Sequence, residues 1–379
     1  MKKKITLLSL LITHHVLNGQ PVPKSFDNYD IRNGLSNSFV KCIVQDNQGF
    51  MWFGTEYGLN RFDGYQFVQY FSNATDTTSL CNIEVLCCDS KGRIWIGTHY
   101  GLSVYFPGKD MFTSYYHNEN NSSTLSNNIV TSFIEDTHHN IWIATTNGLN
   151  RYNESNNSFE CFYYNPQNEK SLNDNFISKL YVDRQGRLWV GTWHSGLNVL
   201  QYNNGQTDIW RISHPLLSGK KISILQQHND GHIYVGAYEF GLLIYDPETG
   251  DIKRIYTPQN SNLSDTKVKS IAIDSKNNLW VGVNNNHLNF KAPFADSFSH
   301  IVSNLTETQS FKDRFVYDIY RSAKGNIWFA TRNFGVNKYT LVNNFFNHIQ
   351  VLRIGMNCRI MMYAVLQSRP LKKTLSGLA

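Results

Sequence analysis

Side chains suited to recognising a ligand recur in one kind of place in this sequence: short segments between a small residue and the next Gly-Leu step. They read Glu56-Tyr57, His99-Tyr100, Thr146-Asn147, Trp193-His194-Ser195, Tyr238-Glu239-Phe240, Asn284-Asn285-Asn286-His287 and Arg332-Asn333-Phe334. Their flanks repeat, whereas the segments themselves vary. Tyr57, Tyr100, Trp193, Tyr238 and Phe334 offer flat platforms; His99, His194, Glu239, Arg332 and Asn333 offer hydrogen-bonding groups beside them. Sugars present apolar C–H faces and many hydroxyls, so a stacking ring next to polar groups suits them. The same residue types also suit a cap on a closed fold or a protein interface, where aromatics and Arg are enriched.

Signatures of catalysis are weak. The chain has 13 His and 29 acids, yet contains no H-E-x-x-H, no G-x-S-x-G and no phosphate-binding loop. Neither a histidine-kinase phosphoacceptor nor a nucleotide-binding box is visible. His138-His139 occupies a turn position filled elsewhere by Lys-Gly or Gln-Gly, and reads as solvated rather than metal-bound. Asp46, Asp89, Asp136, Asp183 and Asp274 recur like a carboxylate ring, but their turn position points to bonding with their own backbone. Cys42, Cys81, Cys87, Cys88, Cys161 and Cys358 form no C-x-x-C pair and read as small hydrophobes. No cofactor and no metal are expected, and the chain reads as non-catalytic. A secreted propeller enzyme, lyase or glycan-cleaving, is the alternative, together with a purely structural docking ring.

Charge and composition narrow the partners. The net charge of +6 resides at the two ends: Lys2–Lys4, and the acid-free stretch 351–379 with Arg353, Arg359, Arg369, Lys372 and Lys373. The body between them is slightly acidic, without the electrostatic footprint of a nucleic-acid binder. Residues 1–19, a basic start followed by a mostly apolar run, read as a signal peptide and imply export to the periplasm. The 17% charged and 14% aromatic residues exclude a disordered chain or a coiled coil.

The elements that must carry these segments follow from an internal repeat. Asp46 to Thr55, Asp89 to Thr98 and Asp183 to Thr192 align without gaps. The aromatic anchor recurs at Trp52, Trp95, Trp142, Trp189, Tyr234, Trp280 and Trp328, spaced by 43 to 48 residues. Each copy opens with a β-branched run such as Val40–Val44 or Val268–Ile273, turns at an Asp-x-x-Gly step, and continues into the anchor strand. A small residue follows: Gly54, Gly97, Ala144, Gly191, Gly236, Gly282 or Ala330. A third and a fourth strand complete the unit. Four short strands per copy predict an all-β fold, a seven-bladed β-propeller of four-stranded antiparallel blades over residues 24–348. Segments 25–30 and 344–348 both resemble outer strands, so the two ends compete for, or share, the edge of the last blade.

The repeated unit Gly-x-Ile/Leu-Trp-Ile/Val-Gly-Thr-x-x-Gly-Leu-Asn-x-Tyr/Phe resembles the two-component regulator propeller repeat. With the leader and Gly34-Leu35-Ser36, the chain resembles the N-terminal sensor of a Bacteroides-type hybrid two-component system. The resemblance implies a periplasmic sensor that detects an oligosaccharide and signals to a histidine kinase, with further propeller or sensor domains as partners. The family's second propeller, further β-domain, membrane helix, kinase core and DNA-binding regulator have no counterpart in these residues. Residues 351–379 carry no blade signature and read as a truncated or frame-shifted end, or a short variant.

Overall fold

The computed structural model describes residues 22–72, 80–203, 206–284 and 286–341. The proposed leader, the strand-like segment 344–348, the tail 351–379 and Asn285 lie outside them. The described residues form seven four-stranded antiparallel sheets with almost no helix, a seven-bladed β-propeller. Blades 1 to 6 comprise residues 40–70, 83–115, 130–162, 177–211, 222–256 and 268–301. In blade 7, residues 316–339 supply three strands and Asp27–Tyr29 supplies the outer one. Asp27 pairs with Lys338 and Tyr29 with Val336, so the N-terminal segment seals the last edge and closes the ring.

Burial explains the sequence pattern. All residues of the second strands, for example Ile94–Thr98 and Leu188–Thr192, are buried. A sheet with one wet face alternates apolar and polar residues; these strands do not, because a neighbouring blade covers each face. Accordingly the hydrophobic core is divided into seven clusters, one per junction between consecutive blades. The small residue of the second strand makes this approach possible. A Cβ on Gly97 would lie 2.7 Å from Val130 Cγ1, at the start of the next blade's inner strand.

The anchors wedge the junctions. Trp52 packs on Tyr105 of the next blade at 5.4 Å between centroids, Trp95 on Tyr152 at 5.2 Å and Trp189 on Tyr245 at 5.7 Å. Trp280 meets Tyr339 at 5.2 Å, and Trp328 meets Phe62 across the closure at 6.0 Å. The turn aspartates do more than hold their own backbone. Asp89 Oδ1 accepts the N–H groups of Lys91 and Arg93, while Oδ2 accepts Trp95 Nε1–H at 2.8 Å. The same indole bond recurs from Trp52 to Asp46, Trp142 to Asp136, Trp189 to Asp183 and Trp280 to Asp274, at 2.7–3.1 Å. Blade 5 replaces the pair by His228 and Tyr234, whose rings lie 5.3 Å apart. Blade 7 has Ser322 at the aspartate position, and the buried Trp328 Nε1 has no hydrogen-bond partner.

This asymmetry is testable. Asp89→Ala strands a buried indole N–H and two turn amides and is expected to lower stability by about 2–4 kcal/mol. Ser322→Asp supplies the missing acceptor and is expected to raise it by about 1 kcal/mol. Urea unfolding of both variants checks the pair of opposite signs.

Candidate functional site at the channel mouth

One structural irregularity is common to all seven blades. The pairing of inner and second strands slips by one residue near the start of the inner strand, leaving Lys41, Glu84, Thr131, Ser178, Ser223, Lys269 and Tyr317 as the extra residues. Such a bulge re-aims a side chain. Lys41, Glu84, Thr131, Lys269 and Tyr317 line a central channel with a cavity volume of about 570 Å³. The bulge hydroxyls of blades 3 to 5 turn into backbone: Thr131 bonds Ile177 O at 2.7 Å, Ser178 bonds Ile222 O at 2.5 Å and Ser223 bonds Gly236 O at 3.1 Å. Blades 6, 7, 1 and 2 instead present Lys269, Tyr317, Lys41 and Glu84.

A second constraint brings the variable segments beside this layer. In six of the seven segments, all but that of His99, the first residue donates its N–H to the carbonyl just before the inner strand, among them Trp193 to Phe176 at 2.9 Å, Tyr238 to Lys221 at 2.9 Å, Asn284 to Lys267 at 3.1 Å and Arg332 to Phe315 at 3.3 Å. The interblade loops are held in turn by buried asparagines of the third strands. Asn60, Asn150, Asn198, Asn289 and Asn337 accept the N–H groups of Ser36, Ser126, Asn173, Ser264 and Lys312 at 2.7–3.0 Å.

The result is a crescent of alternating cations and rings. Lys221 Nζ lies 3.0 Å from the Trp193 centroid and 4.6 Å from that of Tyr238. Lys269 Nζ stands 5.6 Å from Tyr238 and 5.5 Å from Tyr317. Tyr317 meets Phe39 edge-on at 4.9 Å, and Phe39 lies under Lys41 at 5.3 Å and Arg332 at 5.8 Å. Lys41 pairs with Glu84, which also takes His99 Nε2 at 3.1 Å. Each cation–ring contact contributes roughly 0.5–2 kcal/mol, more as water is excluded.

The residues singled out from sequence divide accordingly. Trp193, Tyr238, Arg332 and His99 belong to the crescent, and Glu239 pairs with Lys267 at 3.2 Å on its rim. The others face the interblade loops or solvent. His194 Nδ1 is 3.0 Å from Asp174, the Asn333 N–H is bound by Asp313 at 2.6 Å, and Tyr57 bridges to Cys81 beside Phe71. Tyr100 is exposed and Phe334 half-buried. Sequence reasoning missed Lys221, Lys267, Phe39 and the bulge residues. Their signal was position alone, at or just before the β-branched run.

A second cluster carries its own counter-ions. On the opposite face a cavity of about 320 Å³ is lined by Arg93, Arg151, Glu154 and His139. There Arg93 pairs with Asp89 and Glu154, Arg151 with Glu160, and His139 with Glu135. Burial pushes the Cys87 thiol up to about 12 and Cys88 to about 11, so neither is a ready nucleophile. Among the described residues no cluster of His, Cys, Asp or Glu is arranged to hold a metal ion.

Six segments, 34–57, 79–100, 124–147, 171–194, 262–285 and 310–333, match the profile of the two component regulator propeller. The chain therefore carries six repeats of the two component regulator propeller type. Each matched segment runs from an interblade loop through the inner and second strands to a variable tip. Blade 5, which lacks the Asp–Trp pair, is the one without a matched segment. The propeller is 45% identical over 71 residues to histidine kinase P4 of Formosa agariphila, a match covering 19% of this chain and 5% of that protein. Its fold is similar to the extracellular domain of a B. thetaiotaomicron protein described as a hybrid two component system, with TM-score 0.69, 24% identity, and 83% and 42% of the two chains covered. It is also similar in fold to virginiamycin B lyase of Staphylococcus aureus, solved as an inactive variant with quinupristin, with TM-score 0.61, 14% identity, and 84% and 100% covered.

The crescent carries a stability cost. Burial, then the neighbouring Lys269, pull the Lys221 pKa down to about 8, against about 10.5 for an ordinary lysine, with Glu239 opposing. A base whose folded-state pKa is depressed destabilises the fold at every pH below that value. The penalty shrinks between pH 8 and 10.5 and is gone above. Discounted for half exposure, Lys221→Met is expected to stabilise the protein by roughly 1–2 kcal/mol at pH 7. The gain should be smaller at pH 10, as read by urea unfolding at both values.

Proposed function

We propose that this propeller is the non-catalytic ligand-sensing module of a two-component regulator, acting in the periplasm and binding an oligosaccharide at the channel mouth. The observation that carries the reading is the crescent. Trp193, Tyr238, Tyr317 and Phe39 offer apolar faces, and ammonium, guanidinium and carboxylate groups stand beside them, all on inner-strand starts and tips of one rigid ring. The six repeats and the similarity to a histidine kinase support a signalling role. The partners would be a histidine kinase and further propeller or sensor domains. Binding would act by favouring one pose of the propeller against those partners, since a ligand shifts an equilibrium only through differential affinity.

The Glu84–His99 pair at the mouth, and a fold likeness that spans a whole lyase, favour a propeller enzyme as the second reading. One screen separates the two. Purified protein is expected to show a raised melting temperature with one class of glycan in a broad panel, without turnover. Trp193→Ala and Tyr238→Ala should each abolish that shift. A panel giving no shift would refute sensing by this chain, and product formation lost in Glu84→Gln would establish the enzyme.

A further inference from the structure

Three ammonium groups surround one ring. The Nζ atoms of Lys221, Lys269 and Lys267 lie 4.6, 5.6 and 5.7 Å from the centroid of Tyr238. Lys267 is paired with Glu239 at the rim. Among the described residues Lys221 and Lys269 have no carboxylate within ion-pair distance; their contacts are with the rings of Trp193, Tyr238 and Tyr317. Both are half-buried, and Lys269 faces the channel. Among the other described half-buried cations, Arg93 and Arg187 are matched by turn aspartates, Arg151 by Glu160 and Lys41 by Glu84, while Lys312 is held by backbone carbonyls and Arg61 lies over the rings of Phe50 and Trp52; in none of these do two ammonium groups share one ring. Two like charges held together without a counter-ion cost stability, and the body of this protein is acidic enough to have supplied one. A ring stands on each side of the pair, Trp193 on blade 4 against Lys221 and Tyr317 on blade 7 against Lys269.

We propose that the Lys221–Lys269 pair is a binding site for the carboxylate or sulfate group of an anionic saccharide, whose sugar rings stack on Trp193 and Tyr238. This deepens the sensing function proposed above and rests on it. The acid group neutralises the two ammonium charges, Tyr238 holds their stems in place, and the stacked faces exclude water, which strengthens each charged contact. Lys221 is also the group whose protonation the ligand would favour. It is faced by Trp193 from blade 4, Tyr238 and Glu239 from its own blade, and Lys269 and Lys267 from blade 6. Protonated Lys221 binds the anion, so affinity falls as pH rises through the value at which Lys221 loses its proton.

The test is calorimetric titration of the full chain with three probes of equal length: a neutral gluco-oligosaccharide, an oligogalacturonate and a chondroitin sulfate oligosaccharide. An acidic probe is expected to bind at least tenfold more tightly than the neutral one. Whether the uronate or the sulfated probe is tighter identifies the acid group. Lys221→Met and Lys269→Met should each lower that affinity at least tenfold, whereas Lys109→Met, in a turn on the opposite face, should leave it unchanged. Raising the pH from 7 to 9 should weaken binding in the parent and not in Lys221→Met. Neutral and acidic probes binding alike, with both lysine variants silent, would overturn the anionic site and leave glycan sensing standing. Binding of none of the probes, with no thermal shift across the wider panel, would overturn both.

Discussion

The fold depends on a wedge. An indole on the second strand of one blade lies against an aromatic ring on the third strand of the next, with its N–H tied to the aspartate of its own turn. Deep burial of an indole is worth several kcal/mol, but its N–H must be matched, and the aspartate matches it while also closing the turn. The interaction therefore couples three scales: the local hairpin, the blade, and the contact between blades. No blade has a core of its own; each of the seven clusters belongs to a junction. Stability in such a ring is a sum over neighbours, and closure by Asp27–Tyr29 supplies the last of them.

A ring built this way also sets where chemistry can stand. The inner strands converge on the axis, and a bulge at the same step in every one sets one side chain per blade outside the regular pairing. Where hydroxyls occupy that step they bond the adjacent inner strand or their own hairpin and act as mortar. In blades 6, 7, 1 and 2 the residues are Lys269, Tyr317, Lys41 and Glu84, and the same geometry presents charge and rings instead. The seven-fold scaffold thus carries a one-sided cluster of charges and rings. The contrast with the cavity on the opposite face is electrostatic: there Arg93 and Arg151 are paired with carboxylates, whereas at the mouth Lys221 and Lys269 stand against rings.

Much of this was legible in the sequence because it is periodic. The spacing of Trp52 through Trp328 located all seven blades, including blade 5, where Tyr234 keeps the interval although the motif around it has diverged. The small residues marked close approach, and the turn aspartates were rightly assigned to backbone bonding. Their second bond, to an indole six residues on, was not visible, because it depends on the hairpin bringing those positions together. The site was half legible. Tips stand out by varying between constant flanks, so Trp193, Tyr238 and Arg332 could be named. Lys221, Lys267 and Lys269 lie in or beside runs that read as core, and only the bulge and the tip-to-strand amide bond turn them to the mouth. Tyr57, His194 and Asn333 show the reverse: their type suggested recognition, but their bonds are to the loops that support the tips. Net charge misled in the same way, since an acidic body conceals a local cationic cluster.

On the reading proposed above, the bulge layer and the adjoining tips form one ligand site on one sector of the ring. A crystal structure of the protein with a bound saccharide tests it most directly. Sugar density is expected to stack on Trp193 or Tyr238, with an acidic substituent within hydrogen-bond reach of Lys221 and Lys269. Density seated instead among Arg93, Arg151 and Glu154 on the opposite face, or on the outer strands, with the mouth empty, would contradict it.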